Sequence, residues 1–169
     1  MKPSRKILAL VSFVATLPWM PAQAGTLDNA PFQLAAPGAE WQLDDAFPQV
    51  IGGGMVLAAS LTNEKQHLKS VVVTGPVKLT PTALDELCAG LRNSFSNPIV
   101  KKLSDEPATF LGYKAQALAY EVTPPGAAGT YNEARIFLVG KTAWVISVIG
   151  PVTQKAAVKQ MLTLYRPRR

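Results

Sequence analysis

The hydrophobic pattern changes period several times along the chain, and each change marks an element. Phe32 and Leu34 alternate with polar neighbours until Pro37-Gly38-Ala39 breaks the run before Trp41, which predicts a short strand and a turn. From Gln42 to Gly54 no period holds. Asp44, Asp45, Pro48 and the triplet Gly52-Gly53-Gly54 predict a long, flexible connection, and such loops carry function more often than short ones. Met55 to Leu61 and Leu68 to Thr74, separated by Thr62-Asn63-Glu64-Lys65-Gln66, predict two strands joined by a polar turn. The β-branched run Val71-Val72-Val73 suits a strand covered on both faces.

The period then becomes helical. Thr80-Pro81 supplies an N-cap followed by proline at the first helical position, and Asp85 and Glu86 lie near the positive end of the helix dipole. Leu84, Leu87, Cys88, Leu91 and Phe95 form one apolar stripe, and Asn97-Pro98 ends the helix. Ile99 to Leu103 and Thr109 to Leu111 read as short strands, followed across a Gly112-Tyr113-Lys114 turn by Ala115 to Val122. Beyond the loop from Pro124 to Gly129, Tyr131 to Val139 and Thr142 to Ile149 form a hairpin about Gly140-Lys141. The last strand carries Trp144, Ile146 and Val148 on one face and Ala143, Val145 and Ile149 on the other, as an interior strand would. Gly150-Pro151 closes the sheet, and Thr153 to Leu164 predicts a second helix with Ala157, Met161, Leu162 and Tyr165 facing the sheet.

The amino terminus adds an address. Lys2, Arg5 and Lys6 precede the apolar run Ile7 to Leu17, and Ala22-Gln23-Ala24 has the small residues of a cleavage site, so residues 1–24 read as a secretory signal peptide cut before Gly25. An apolar run of 11 residues is short of the roughly 20 needed to span a bilayer as a helix. No cysteine stands at the new terminus to take a lipid anchor. The expectation is a periplasmic or secreted protein, soluble after cleavage, without stable membrane insertion.

Cleavage would leave 14 basic against 11 acidic side chains, with Arg166, Arg168 and Arg169 gathered in a tail read as frayed and solvated. A nearly neutral body speaks against nucleic-acid binding, which wants a basic stripe over one face. Residues 25–169 are long enough for one domain with a single core.

Strand, two strands, helix, a run of antiparallel strands and a terminal helix make an α+β domain, an antiparallel β-sheet covered by helices. The order resembles the superfamily containing PsbP, the yeast Ran-binding Mog protein and the bacterial envelope protein DcrB. The resemblance is carried by Phe32-Gln33-Leu34 with Pro37 and Trp41, the helix after Thr80-Pro81, the hairpins at Gly112-Tyr113 and Gly140-Lys141, and the last helix. It implies a binding or accessory role and brings no catalytic residues with it; no cofactor and no metal are expected.

The residues themselves offer no catalytic set. His67, the one histidine, opens a strand after a polar turn and reads as half-exposed; Cys88 lies within an apolar stripe and reads as a buried thiol. One Cys and one His cannot build the common zinc cages, and Gly52-Gly53-Gly54 lacks the Lys-Ser/Thr of a phosphate loop. Asp44-Asp45 and Asp105-Glu106 are adjacent pairs whose side chains diverge in an extended chain. Two features suit partner binding: the loop with Trp41, Asp44, Asp45, Phe47 and Pro48, and the strand face with Tyr131, Glu133, Arg135 and Phe137. Trp41 and Phe47 capping the core, and a solvated strand face, explain the same residues. The expected function is a non-enzymatic accessory factor or an inhibitor of the immunity type, bound to a protein of the cell envelope. The alternative is a small-molecule or lipid carrier with a cavity lined by Leu87, Leu91, Phe95 and Trp144.

Overall fold

The computed structural model describes residues 27–45, 49–52, 54–93 and 97–168. The predicted signal peptide, Phe47 and Phe95 lie outside them. Among the described residues ten strands and two α-helices follow one another as β1 (Phe32–Leu34), β2 (Gln42–Asp44), β3 (Gln49–Gly52), β4 (Met55–Asn63), β5 (Leu68–Pro76), α1 (Ala83–Asn93), β6 (Val100–Phe110), β7 (Tyr113–Val122), β8 (Thr130–Val139), β9 (Thr142–Pro151), α2 (Lys155–Met161) and β10 (Tyr165–Pro167).

The large sheet has the order β2-β4-β5-β9-β8-β7-β6, antiparallel throughout, with β3 also paired to β4. Tight turns set its register. At Leu111-Gly112 both residues have positive φ, 54° and 86°, the twist that a two-residue hairpin requires. The expected interior strand is β9, flanked by β5 and β8.

Each face of the sheet buries its own apolar set. On one face Ala59, Val72, Ala115, Ala119, Phe137, Trp144, Ile146 and Val148 meet Phe32 of β1, Val158 and Met161 of α2, and Tyr165 of β10. Alanine at positions 115 and 119 keeps this floor low, so overlying segments can approach closely. Phe32 is fully buried, edge-on to Trp144 at 5.3 Å and to Tyr165 at 5.4 Å. On the other face α1 sets Cys88 against Leu118, Ala134, Ile136 and Val145, with Leu84, Leu87 and Leu91 half-buried around it. The predicted stripe is therefore the packing face of α1.

Four expectations need correction. The connection from Gln42 to Gly54 is partly ordered: β2 pairs with Gln42↔Thr62 through Asp44↔Ser60, and β3 with Gln49↔Leu57 to Gly52↔Met55. Both lie on the outer edge of β4, whose backbone N–H and C=O groups need partners that the hydrophobic pattern does not reveal. The two short strands after the first helix are one strand, β6, with a bulge between Lys102 and Ser104. Pro107 is tolerated because β6 is an edge strand and its missing N–H would face outward. The helix after Thr80-Pro81 begins at Ala83, since Thr80 to Thr82 form a turn in which the Thr82 hydroxyl donates to Glu86 Oε1 at 2.6 Å. The tail is not frayed through Arg168, and Arg169 lies outside the described residues. Tyr165 to Pro167 pair with β1, Arg168 donates its backbone N–H to Pro31 O at 3.1 Å, and its guanidinium donates to the carbonyls of Leu27 and Asp28.

A polar clamp holds α1 down. Arg92 donates to Asp105 through Nε at 2.7 Å and Nη2 at 3.0 Å, and Gln116 Nε2 donates to the same carboxylate at 2.6 Å. These bonds hold the Asp105 carboxyl below its usual value near 3.8, the Arg92 bond first and Gln116 after it. A depressed folded-state pKa contributes stability that is present above the unfolded value and is lost as pH falls through the folded one. Asp105→Asn is accordingly expected to cost about 1–3 kcal/mol at neutral pH. Its deficit should shrink as pH drops below about 4, the ordinary carboxylate range. Urea denaturation at pH 7 and pH 3 checks both statements.

Candidate functional site

Among the described residues the sheet has two edges that pair with no further strand, and they differ in chemistry. β6 carries Lys101 and Lys102, the bulge and Pro107, all devices that discourage a further strand from pairing. β3 carries no charged residue or proline within Gln49–Gly52, and its register with β4 shifts between Val50 and Gly52. Instead Val50 is 76% and Ile51 45% exposed, high values for β-branched apolar side chains. Among the described residues β4 is the only strand that β3 pairs with.

The candidates from the first loop flank this edge, divided between the faces of the sheet. Trp41, half-buried, packs against the main core, and its backbone N–H donates to Gly38 O at 3.1 Å. Core capping thus accounts for its ring. Asp44 is exposed at the end of β2, opposite Ser60, and acts on Lys69 one strand further in: burial lowers the Lys69 pKa, and the Asp44 charge opposes that shift. Asp45 follows, half-buried. Val50 and Ile51 escaped the sequence reading because they were absorbed into a supposed loop; two adjacent β-branched residues mirrored across the glycine triplet by Met55-Val56 were the available hairpin signal.

On the second candidate face Tyr131, Glu133 and Phe137 are buried and Arg135 is half-buried. Tyr131 is only 2% exposed; its hydroxyl donates to Glu133 Oε2 at 2.8 Å, and Arg135 Nη2 donates to Glu133 Oε1 at 2.5 Å. Lys155 and Lys159 of α2 lie over the Tyr131 ring at 5.7 and 6.0 Å, and Lys155 pairs with Glu121. Burial, then the Glu133 bond and charge, push the Tyr131 hydroxyl pKa well up, so it stays a proton donor at neutral pH. The alternation of Tyr131, Glu133 and Arg135 fits a partner-binding or solvated face, and in the structure these groups bond to one another while the Tyr131 ring lies under the lysines of α2.

His67 sits exposed at the tip of the β4–β5 hairpin with φ 55°, and its N–H donates to Glu64 O at 3.2 Å. Beside it is a shallow hollow of about 430 Å³ lined by Thr62, Asn63, Glu64, His67, Leu68 and Lys69. Cys88 is fully buried and its thiol pKa is pushed up to about 11 by burial, which keeps it protonated and unreactive. Leu87 and Leu91 pack on the α1 face while Trp144 packs on the opposite face, so these three cannot line one carrier cavity. Among the described residues no group of three or more His, Cys, Asp or Glu could hold a metal ion. No helix of the described residues is long and apolar enough to cross a membrane.

A seven-strand antiparallel path with one helix on each face, and the β1–β10 ribbon over one of them, defines a PsbP-like α+β fold. The chain is similar to the cyanobacterial PsbP protein of Synechocystis, whose solution structure superposes with a TM-score of 0.54 at 12% identity over 86% of this chain and 98% of that one. It is also similar to LpqN, a protein involved in cell envelope biogenesis of Mycobacterium tuberculosis, with a TM-score of 0.46 at 12% identity over 80% of this chain and 83% of that one. No protein-family model and no curated protein sequence matches the chain.

Proposed function

We propose that the protein is exported to the periplasm or beyond by the amino-terminal signal and there binds a protein partner through the β2–β3 edge. It acts without catalysis, as an accessory factor or as an inhibitor of the immunity type. The observation that carries this reading is the exposure of Val50 and Ile51 on a strand edge free of lysine, arginine and proline, flanked by Asp44 and Asp45. Unpaired backbone groups and apolar β-branched side chains at one edge favour association, and soluble proteins ordinarily suppress such an edge unless something covers it.

The test is capture in the native envelope. A carboxy-terminally tagged full-length chain, lightly crosslinked in its own envelope, should elute at a mass that starts at Gly25 together with one stoichiometric protein. Val50→Asp combined with Ile51→Asp should reduce that capture by at least tenfold, since truncating or charging a central contact costs about 2 kcal/mol or more of binding. Both side chains are solvent-exposed, so the melting temperature should move by no more than about 2 °C, the shift expected for a surface change worth a few tenths of a kcal/mol. An unprocessed amino terminus would overturn export. Undiminished capture by the double variant, or none from the wild type at micromolar concentration, would overturn edge binding.

A further inference from the structure

All 11 acidic side chains of the chain stand at or before Glu133, and residues 134–169 hold seven basic side chains and no acid. That stretch comprises β9, α2 and β10. α2 and β10 cover the same face of the sheet, with Val158, Met161 and Tyr165 turned inward. On their outer side Lys155, Lys159, Arg166 and Arg168 are exposed. The strand alternation that buries Tyr165 turns Arg166 outward, opposite the exposed Gln33 of β1.

Most of this charge is not cancelled locally. Lys155 and Lys159 converge over the Tyr131 ring, and Glu121 pairs with Lys155 alone. Among the described residues Lys159 and Arg166 pair with no carboxylate. Glu133, beneath the lysines, is buried and bonded to Tyr131 and Arg135. Arg168 donates to the backbone carbonyls of Leu27 and Asp28, which fix its guanidinium without neutralising it. The exposed Asp28 is the acid beside it.

We propose that the α2–β10 layer docks the protein on an anionic lipid surface of the envelope, peripherally and by charge. A protein interface is anchored at its centre by aromatic or large apolar side chains. The exposed large apolar residues, Val50, Ile51, Leu79 and Leu103, all lie elsewhere, so the layer offers no such anchor. A charged lipid surface asks only for unpaired cations on one side of the protein, each lysine or arginine near it strengthening association roughly fivefold. The inference takes the exported location from the reading above and adds a second surface to it. α2 packs on β8 and β9, whereas β3 lies at the sheet edge beyond β4 and β5.

The experiment sediments the protein, purified from its native envelope, with vesicles of phosphatidylcholine alone or containing 30 mol% phosphatidylglycerol. At 50 mM salt the protein should partition onto the phosphatidylglycerol vesicles and at least tenfold less onto phosphatidylcholine. Raising the salt to 500 mM should release it, as screened charges require. Lys159→Glu with Arg166→Glu should weaken partitioning at least tenfold. Lys78→Glu with Lys114→Glu changes the net charge equally on exposed residues away from the layer, Lys78 in the connection to α1 and Lys114 alternating with Ala115 toward the α1 face. That control should weaken partitioning by no more than threefold. Both pairs are exposed, so each variant should keep the wild-type circular dichroism spectrum. No partitioning onto anionic vesicles, equal partitioning onto both compositions, or an equal loss in the control variant would overturn the inference. Saturable binding of polyglutamate without binding of vesicles would overturn it in favour of an acidic protein. The vesicles contain no protein partner, so this inference and edge binding fail separately.

Discussion

Phe32→Ala is expected to lower folding stability by about 3–5 kcal/mol, the range for removing a buried phenylalanine. For a chain of this size that is a fall of roughly 10 °C in melting temperature. The expectation follows from where the ring sits. Phe32 is fully buried under β1 and contacts Trp144 on β9 and Tyr165 on β10 edge-on, so its loss leaves a void between the sheet and the ribbon that closes over it. The ribbon is short, with three residue pairs from Phe32↔Pro167 to Leu34↔Tyr165, and a two-stranded ribbon has little stability without packing beneath it. Tyr165 would lose an aromatic neighbour while keeping its 2.5 Å hydrogen bond to the Ser70 hydroxyl. Thermal denaturation followed by near-ultraviolet circular dichroism reads the loss. A fall of less than about 1 kcal/mol, the size of an ordinary point-mutation effect, would mean that β1 is not part of the core.

Gly150→Ala is the second large effect, with an expected cost of about 1–3 kcal/mol from overpacking. Gly150 lies on the face of β9 that α2 crosses. A Cβ at that position would stand 2.6 Å from Leu68 Cδ2 and 2.7 Å from Val158 Cγ2, both belonging to buried residues. The glycine is what lets α2 descend onto the sheet, and the larger Gly150→Val should cost more still. Combining Gly150→Ala with Val158→Ala separates crowding from any intrinsic strand effect. If crowding dominates, the double variant is more stable than the sum of the two single losses by 0.5 kcal/mol or more, the size of coupling seen between touching residues. Strict additivity in urea denaturation would assign the cost elsewhere.

These two positions also show how much of the fold the sequence displays. The β8–β9 hairpin is legible because Gly140-Lys141 supplies a turn and both flanking runs are long, and β9 is legible as interior because apolar residues occupy both its faces. The apolar stripe of α1 is legible from Leu84, Leu87, Cys88 and Leu91. β2 and β3 are not. They are 3 and 4 residues long, and they exist because the outer edge of β4 needs hydrogen-bond partners, a demand set by the tertiary structure. Gly150 reads as a terminator before proline, whereas its absent side chain is a packing requirement of a helix that follows it in sequence.

The site was half legible for the same reason. Asp44 and Asp45 were recognised by residue type, and they do flank the exposed edge. Val50 and Ile51, the residues on which partner binding rests, looked like part of a flexible connection. Tyr131 and Arg135 have the composition of a binding face, yet Glu133 between them satisfies both. A charged alternation on a strand becomes internal once its groups pair with each other, and the sequence pattern is the same in either case.

The most direct test of partner binding at the β2–β3 edge is site-specific photocrosslinking in the native envelope. A photoreactive side chain replaces Val50 in one variant and Leu103, the exposed apolar residue of the opposite edge, in another. A discrete protein adduct from position 50 and none from position 103 is the predicted result. Adducts of equal yield from both positions, or from position 103 alone, would contradict it.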